Sequence, residues 1–307
     1  PLSPRTDNEV SIRSGITLSD GTVEWVPLGV FGFQEARMVE NTNGITVSLM
    51  DLADRSRLVT RSRWRVPYTI PSGTDLATAI TAALDVCWPA HPRLDARSTA
   101  TINALATFTE GPDSDPWRDL CGLAAAHGME LFFDAVGVPV LRDLPAPSSD
   151  NLDATYGDGD DAVVLDLTRS LSIAEGSYNG LVVTGESTSG AAPVRSVLWQ
   201  NDYGPGMTTT VPARPRPAWF TSPLITTQAQ ADATCRARLP RYLGAQELLS
   251  WTQVVNPAHD VWDLVRVERD RIKASADVVF DSVTIPLGAQ SPMTVVGRSR
   301  AVWTGVS

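Results

Sequence analysis

A chain of 307 residues, 43% of them apolar and 20% charged, has an ordinary globular balance rather than a disordered one, and leaves room for about two domains at roughly 150 residues each. A formal net charge of -10 excludes a surface that as a whole grips a phosphate backbone, because that affinity comes from clustered Lys and Arg releasing counterions. Cys87, Cys121 and Cys235 are far apart and form no CxxC pair, so they read as buried thiols in helical stretches and not as a disulfide framework or metal site.

From Glu9 to about Arg65 the pattern is β throughout, with runs at Val10–Arg13, Val23–Phe31 and Gly44–Leu52. Ser19-Asp20-Gly21-Thr22 supplies hairpin turn chemistry between the first two. From Pro71 the period changes. Thr74 is placed to cap a helix whose Leu76, Ile80, Ala83, Leu84 and Cys87 share one face, and that helix ends near Trp88-Pro89. Asp115-Pro116 is an N-cap followed by proline at the first helical position; Trp117, Leu120, Cys121 and Ala124 form the buried stripe, and Gly128 ends the helix. A hairpin follows, Met129–Phe133 and Val138–Arg142, and Pro145–Ser149 reads as a linker.

The second half resumes β character at Ala162–Leu167 and again at Tyr178–Glu186. A polar Gly/Pro/Thr-rich excursion runs from 187 to 216. Phe220–Thr227 then leads into a helix from Gln228 to about Leu243. Strands are expected at Glu247–Val255, Asp263–Arg269, Ala276–Leu287 and Met293–Trp303. The fold class is therefore β-rich α+β, divided as a first β domain (1–70), a small α/β insert of helix, helix and hairpin (71–147), and a second β domain (148–307). Strands after 160 are available to complete the first domain.

No run approaches the ~18–20 uncharged apolar residues that a bilayer crossing needs. The start, Pro1–Asp7, lacks the apolar core of a secretion signal. The chain reads as soluble and made in a cytoplasm.

Chemistry-bearing motifs are scarce, and the expectation is no catalytic, cofactor or metal residue. His91, His127 and His259 form no close pair suited to zinc, and His127 sits where partial positive charge suits a helix C-terminus. Gly157–Ala162 spells GxGxxA, but it precedes a strand and its aspartates would repel a pyrophosphate. As an EF-hand it fails because Arg169 stands at the final ligand position, so it reads as a solvated acidic turn. Neither Gly185–Ser189 nor Gly297–Ala301 completes GxSxG. Trp25, Trp88, Trp117, Trp251 and Trp303 lie in periodic segments and are assigned to core packing, whereas Trp199 and Trp219, flanking the excursion, are the candidates for an exposed interface.

In its order of segments the chain resembles the bacteriophage tail-hub family (baseplate hub or tail-tip minor tail proteins), in the form carried by actinobacterial phages. The likeness rests on Val26–Phe31 with Val47–Arg55, on Asp119–Arg142, on Tyr178–Glu186, on Ser222–Thr227 with its helix, and on Asp281–Gly288. One departure stands out: Trp262-Asp263 occupies a place where such hubs often carry a Gly-Asp turn. The resemblance implies two antiparallel tube-like β-barrel domains with an α/β insert, and one helix packed on the second barrel. It further implies a homotrimer forming a pseudo-hexameric ring at the virion tail tip. Its lumen would pass the tape-measure protein and the genome, and its outer face would bind distal tail and other tail-tip subunits. Two other readings stay open: a tail-borne cell-wall hydrolase or peptidase, and a carbohydrate- or receptor-binding module.

Overall fold

The computed structural model describes residues 8–42, 44–144, 152–159, 162–171, 178–186, 192–199, 215–243, 247–288 and 291–299, with the backbone alone at 36, 41, 45–50 and 171. The linker 145–149, most of the 187–216 excursion, Asp160, Asp161 and the end of the last strand with Trp303 lie outside those residues. The chain divides into two compact units, 1–143 and 144–307.

In the first unit β1 (Glu9–Thr17), β2 (Val23–Asn41) and β3 (Gly44–Asp54) form an antiparallel sheet in the order β1-β2-β3. Its first turn is built as the residues require. Gly21 takes φ +84°, and the Asp20 carboxylate accepts from the Thr22 amide at 2.9 Å and its hydroxyl at 2.7 Å. The β pattern expected through Arg65 stops earlier, because α1 (Ser56–Ser62) follows β3 directly. Seven residues are too few to show a helical period, and the buried face carries Arg57 beside Val59. Arg57 lies against the Cα of Gly32, where any side chain on β2 would collide with its guanidinium.

Next come β4 (Tyr68–Ile70), α2 (Leu76–Cys87), β5 (Asp95–Ala96), β6 (Ala106–Phe108), α3 (Pro116–Ala126), β7 (Met129–Phe133) and β8 (Pro139–Asp143). The cap of α2 is Asp75, not Thr74. Asp75 accepts from the Thr78 amide at 2.9 Å, whereas the Thr74 hydroxyl turns back to the Pro71 carbonyl at 2.8 Å. Asp115 caps α3 as expected, and Gly128 takes φ +72° beyond its end. Leu76, Ile80, Leu84, Leu120, Leu123 and Leu141 are the fully buried centre of this α/β part.

One side chain fastens these pieces to the β1-β2-β3 sheet. Arg55, between β3 and α1, meets the Glu9 carboxylate in a fork (2.7 and 3.0 Å), donates to the Gly137 carbonyl in the β7–β8 turn at 2.7 Å, and lies 5.6 Å from the centre of the Trp88 ring.

The second unit contains β9 (Ala154–Tyr156), β10 (Val164–Leu171), β11 (Gly180–Thr184), β12 (Arg195–Trp199), β13 (Pro217–Thr221), α4 (Gln228–Leu243), β14 (Glu247–Gln253), β15 (Leu264–Arg269), β16 (Ala274–Thr284) and β17 (Met293–Ser299). A six-stranded sheet in the order β10-β14-β17-β16-β15-β9 curls into a half-barrel. It is antiparallel except where β9 joins β15. Bulges at Val164/Asp166 and Phe280/Ser282 assist its curvature. Trp251, Val265, Val267, Val278, Phe280, Met293 and Val295 fill its interior.

A smaller sheet, β12-β11-β13, is the floor on which α4 lies. The helix was expected on a second barrel; its buried Ala231, Thr234, Cys235 and Leu239 instead face this three-stranded sheet, with Cys235 Sγ 3.5 Å from the Leu181 carbonyl and Arg238 3.8 Å over the Phe220 ring. Strand β12 lies inside the stretch read as a polar excursion, where its apolar Val197 and Leu198 were outweighed by surrounding Gly, Pro and Ser. With four helices among the described residues, the β-rich α+β reading holds.

Two measurements test this account. Arg55→Ala removes three charge-assisted hydrogen bonds and a stacking contact at a partly buried site, so urea unfolding should show a loss of about 2–3 kcal/mol, only partly restored by Arg55→Lys, which cannot form the fork. Gly122→Ala in α3, where an added Cβ meets nothing within 4 Å, should stabilise by about 0.5–1 kcal/mol, whereas Gly185→Ala forces a Cβ into the Ile225 carbonyl and should cost about 1–3 kcal/mol by the same assay.

Candidate assembly interface

The two tryptophans singled out from sequence come together on one sheet face. Gly180 pairs with both Trp199 and Pro217, and Val182 pairs with both Val197 and Trp219, so all six lie on the face turned away from α4. Trp199 is half-buried, its ring lying against the bare Cα of Gly180, while Trp219 is 59% exposed and carries the Arg195 guanidinium 5.6 Å from its ring centre. Arg195 is the only charged residue in the three strands. Aromatic rings and arginine with little other charge are the composition enriched at protein–protein contacts.

A second exposed apolar group lies in the first unit, against the expectation from sequence. Trp25, assigned to the core, is 62% exposed at the tip of the β1–β2 hairpin, together with Ile16, Leu18 and Val23. Gly15 pairs with Trp25, and the Val23 and Trp25 side chains lie 3.0–3.2 Å from where its Cβ would be. Strand periodicity alone cannot tell a core-facing tryptophan from one carried beyond the core. The readable signal was proximity to the turn, since Trp25 follows Asp20-Gly21 by only a few residues.

The remaining candidates are structural. Asp158 in the acidic turn accepts from Arg269 Nη1 at 2.6 Å and from the Asp270 amide at 2.7 Å; these bonds hold its carboxyl below the usual range. His91 bonds the Pro92 carbonyl (2.5 Å) and Asp85 (3.2 Å). Cys235 is buried, but Cys87 and Cys121 are only half-buried; burial nonetheless raises all three thiols, Cys121 to about 12, which leaves no thiolate nucleophile. Trp262 adopts φ +79°, the geometry a glycine turn would take at low cost, and Arg298 (5.1 Å) and Arg241 (5.6 Å) attend its ring. Arg298 also pairs with Asp281, and burial, with Arg241 nearby, lowers its pKa to about 10.

His259 belongs to a buried chain of side chains. Trp251 Nε1 donates to Gln253 Oε1 (2.7 Å), Gln253 Nε2 to the Tyr156 hydroxyl (3.4 Å), Tyr156 bonds His259 Nε2, and His259 Nδ1 lies 2.7 Å from Asp263. An ionised carboxylate only accepts, so in the neutral ring Nδ1 carries the proton and Tyr156 donates to Nε2. With Tyr156 9% and His259 8% exposed, the chain is closed to a substrate.

Among the described residues no group of three or more His, Cys, Asp or Glu could hold a metal ion, and no described helix is long and apolar enough to cross a membrane. An open groove of about 660 Å³ beside α2 is lined by Thr78, Thr81, Asp85, Arg93 and Asp95 among others, without a paired nucleophile and base.

No protein-family model and no curated protein sequence matches the chain. Solved structures do. The chain superposes on a tail protein from Neisseria meningitidis MC58 (TM-score 0.63, 13% identity, 92% of this chain and 81% of that one). It also superposes on the 43 kDa tail protein of prophage MuSo2 from Shewanella oneidensis (0.61, 15%, 95% and 88%). Prophage tail protein gp18 from Listeria monocytogenes EGD-e aligns over 94% of this chain and 84% of that one, at 0.53 and 9% identity. The chain therefore has the fold of phage tail proteins. At these identities the likeness is one of fold.

His127, expected to carry partial positive charge, is instead pushed by burial below its ordinary value of 6.5, which favours the neutral ring. A folded pKa below the unfolded one means that unfolding takes up a proton, so the stability this burial provides is full above about pH 6.5 and declines as pH falls below it. Thermal melts from pH 7.5 to 5.0 should show that decline, and His127→Gln should flatten it.

Proposed function

We propose that this chain is a structural subunit of a phage tail tip, a hub that assembles as a homotrimer. In this reading the two β-rich units are tube-forming domains, and three copies give a pseudo-hexameric ring that continues the tail tube. Its lumen passes the tape-measure protein and DNA, and its outer face binds distal tail and other tail-tip subunits. The chain serves as a wall and carries no reaction.

The observation that carries this reading is the incompleteness of the β1-β2-β3 sheet. Its outer strands are unpaired on their far sides among the described residues, and its tip leaves large apolar side chains in water. Open strand edges and bare apolar surface are liabilities in a free monomer and assets in a subunit completed by neighbours. Two further facts support it: the tail-protein fold spans nearly the whole chain, and the net charge of -10 suits a wall past which DNA must slide. Of the two tryptophans that suggested a carbohydrate-binding reading, Trp199 is half-buried and Trp219 has Arg195 over its ring.

The test is a density map of the assembled tail tip. Three copies of this chain around the tail axis are expected. A map without three-fold density for it would end the hub reading.

A further inference from the structure

Among the described residues, an exposed apolar group in each unit carries a tryptophan, and the two differ in shape and charge. The β1–β2 tip is a knob. Trp25 (62% exposed) and Val23 (45%) cover Gly15 on one face, Ile16 (37%) lies in the register of the other face, and Leu18 (43%) sits at the turn. Residues 14–26 contain Asp20 and Glu24 and no basic residue. The β12-β11-β13 face is apolar, with Trp219 exposed, Trp199 and Val197 half-buried and Val182 buried between them, and the only charge in its three strands is Arg195. Neither patch is self-complementary, since a knob with two carboxylates repels a copy of itself and a face bearing arginine gains nothing from another.

We infer that the β1–β2 hairpin tip of one copy docks on the Trp199/Trp219 face of the next copy, with Trp25 against the tryptophan pair and Asp20 at the turn toward Arg195. The inference rests on the ring reading above and names the surfaces that make it. A contact between two unlike surfaces is heterologous, and such contacts generate rings when the rotation closes. Size limits what it does alone. Four side chains of this kind expose a patch on the order of a few hundred Å², enough to mark an interaction site but below the roughly 800 Å² per partner of a self-sufficient interface. The contact thus sets register within an assembly that other surfaces also hold.

The experiment uses assembled tail tips, where copies are held together whatever their affinity in solution. A benzophenone amino acid is placed at position 25, tails are built from a mixture of light and heavy-isotope copies, and cross-linked peptides are mapped. The expected product joins position 25 of one isotope form to residues 195–199 or 217–221 of the other. Trp219→Ser should reduce that product about 10–100-fold, the loss of one central aromatic anchor, while the circular dichroism of the purified chain stays unchanged because the side chain is exposed. A link to the same chain, a link to another surface, or no link would overturn the docking inference. The three-fold density map is read separately, so the ring can stand while this contact falls.

Discussion

A β-sheet persists in water only if apolar surface is taken from at least one of its faces, and the three largest sheets here meet that requirement to different degrees. The six-stranded half-barrel encloses Trp251, Phe280 and their aliphatic neighbours. The β12-β11-β13 sheet is covered by α4 on one side and leaves the Trp219 ring exposed on the other. On β1-β2-β3, Gly29 and Gly32 are buried midway along β2, whereas the β1–β2 hairpin tip is open to solvent. Burying a large apolar side chain is worth about 1.5–3 kcal/mol, and the isolated chain forgoes that gain at Trp25, Val23, Leu18 and Ile16. The gradient from closed to open sheet locates where the molecule relies on itself and where it is built for neighbours.

Elements with a local signature were legible. Asp115-Pro116, the Asp20-Gly21 turn and the stripe of Leu76, Ile80 and Leu84 each announce a cap, a reversal or a buried face through chemistry confined to a few residues. What escaped depends on distant partners. Helix α1 puts Arg57 on its inner face, which makes sense only beside Gly32 on β2. Strand β12 is five residues in a polar stretch, recognisable once β11 lies beside it. The candidate interface divided the same way. Trp199 and Trp219 were identified by their polar surroundings, while Trp25 was assigned inward because an alternating pattern does not say which face meets water.

The same contrast holds for chemistry. Histidines, cysteines and aspartates that could each have signalled a reaction are occupied in packing. Asp158 caps a turn, Asp75 a helix, and the thiols stay protonated. Even Trp262, whose backbone geometry carries a cost of about 1–2 kcal/mol for a residue with a side chain, has two guanidinium groups near its large ring.

The buried chain from Trp251 to Asp263 has a consequence for how the half-barrel is finished. Strand β9 contributes three residues, joined in parallel to β15 at the sheet's edge. So few backbone bonds discriminate poorly between one pairing and the next, and a shift by a single residue would turn its side chains to the opposite face. Tyr156 removes that ambiguity. Its hydroxyl finds both a donor in Gln253 and an acceptor in His259 in one alignment alone, so the choice among neighbouring alignments is made by a side chain, and the last strand of the sheet is keyed where its backbone could only slide.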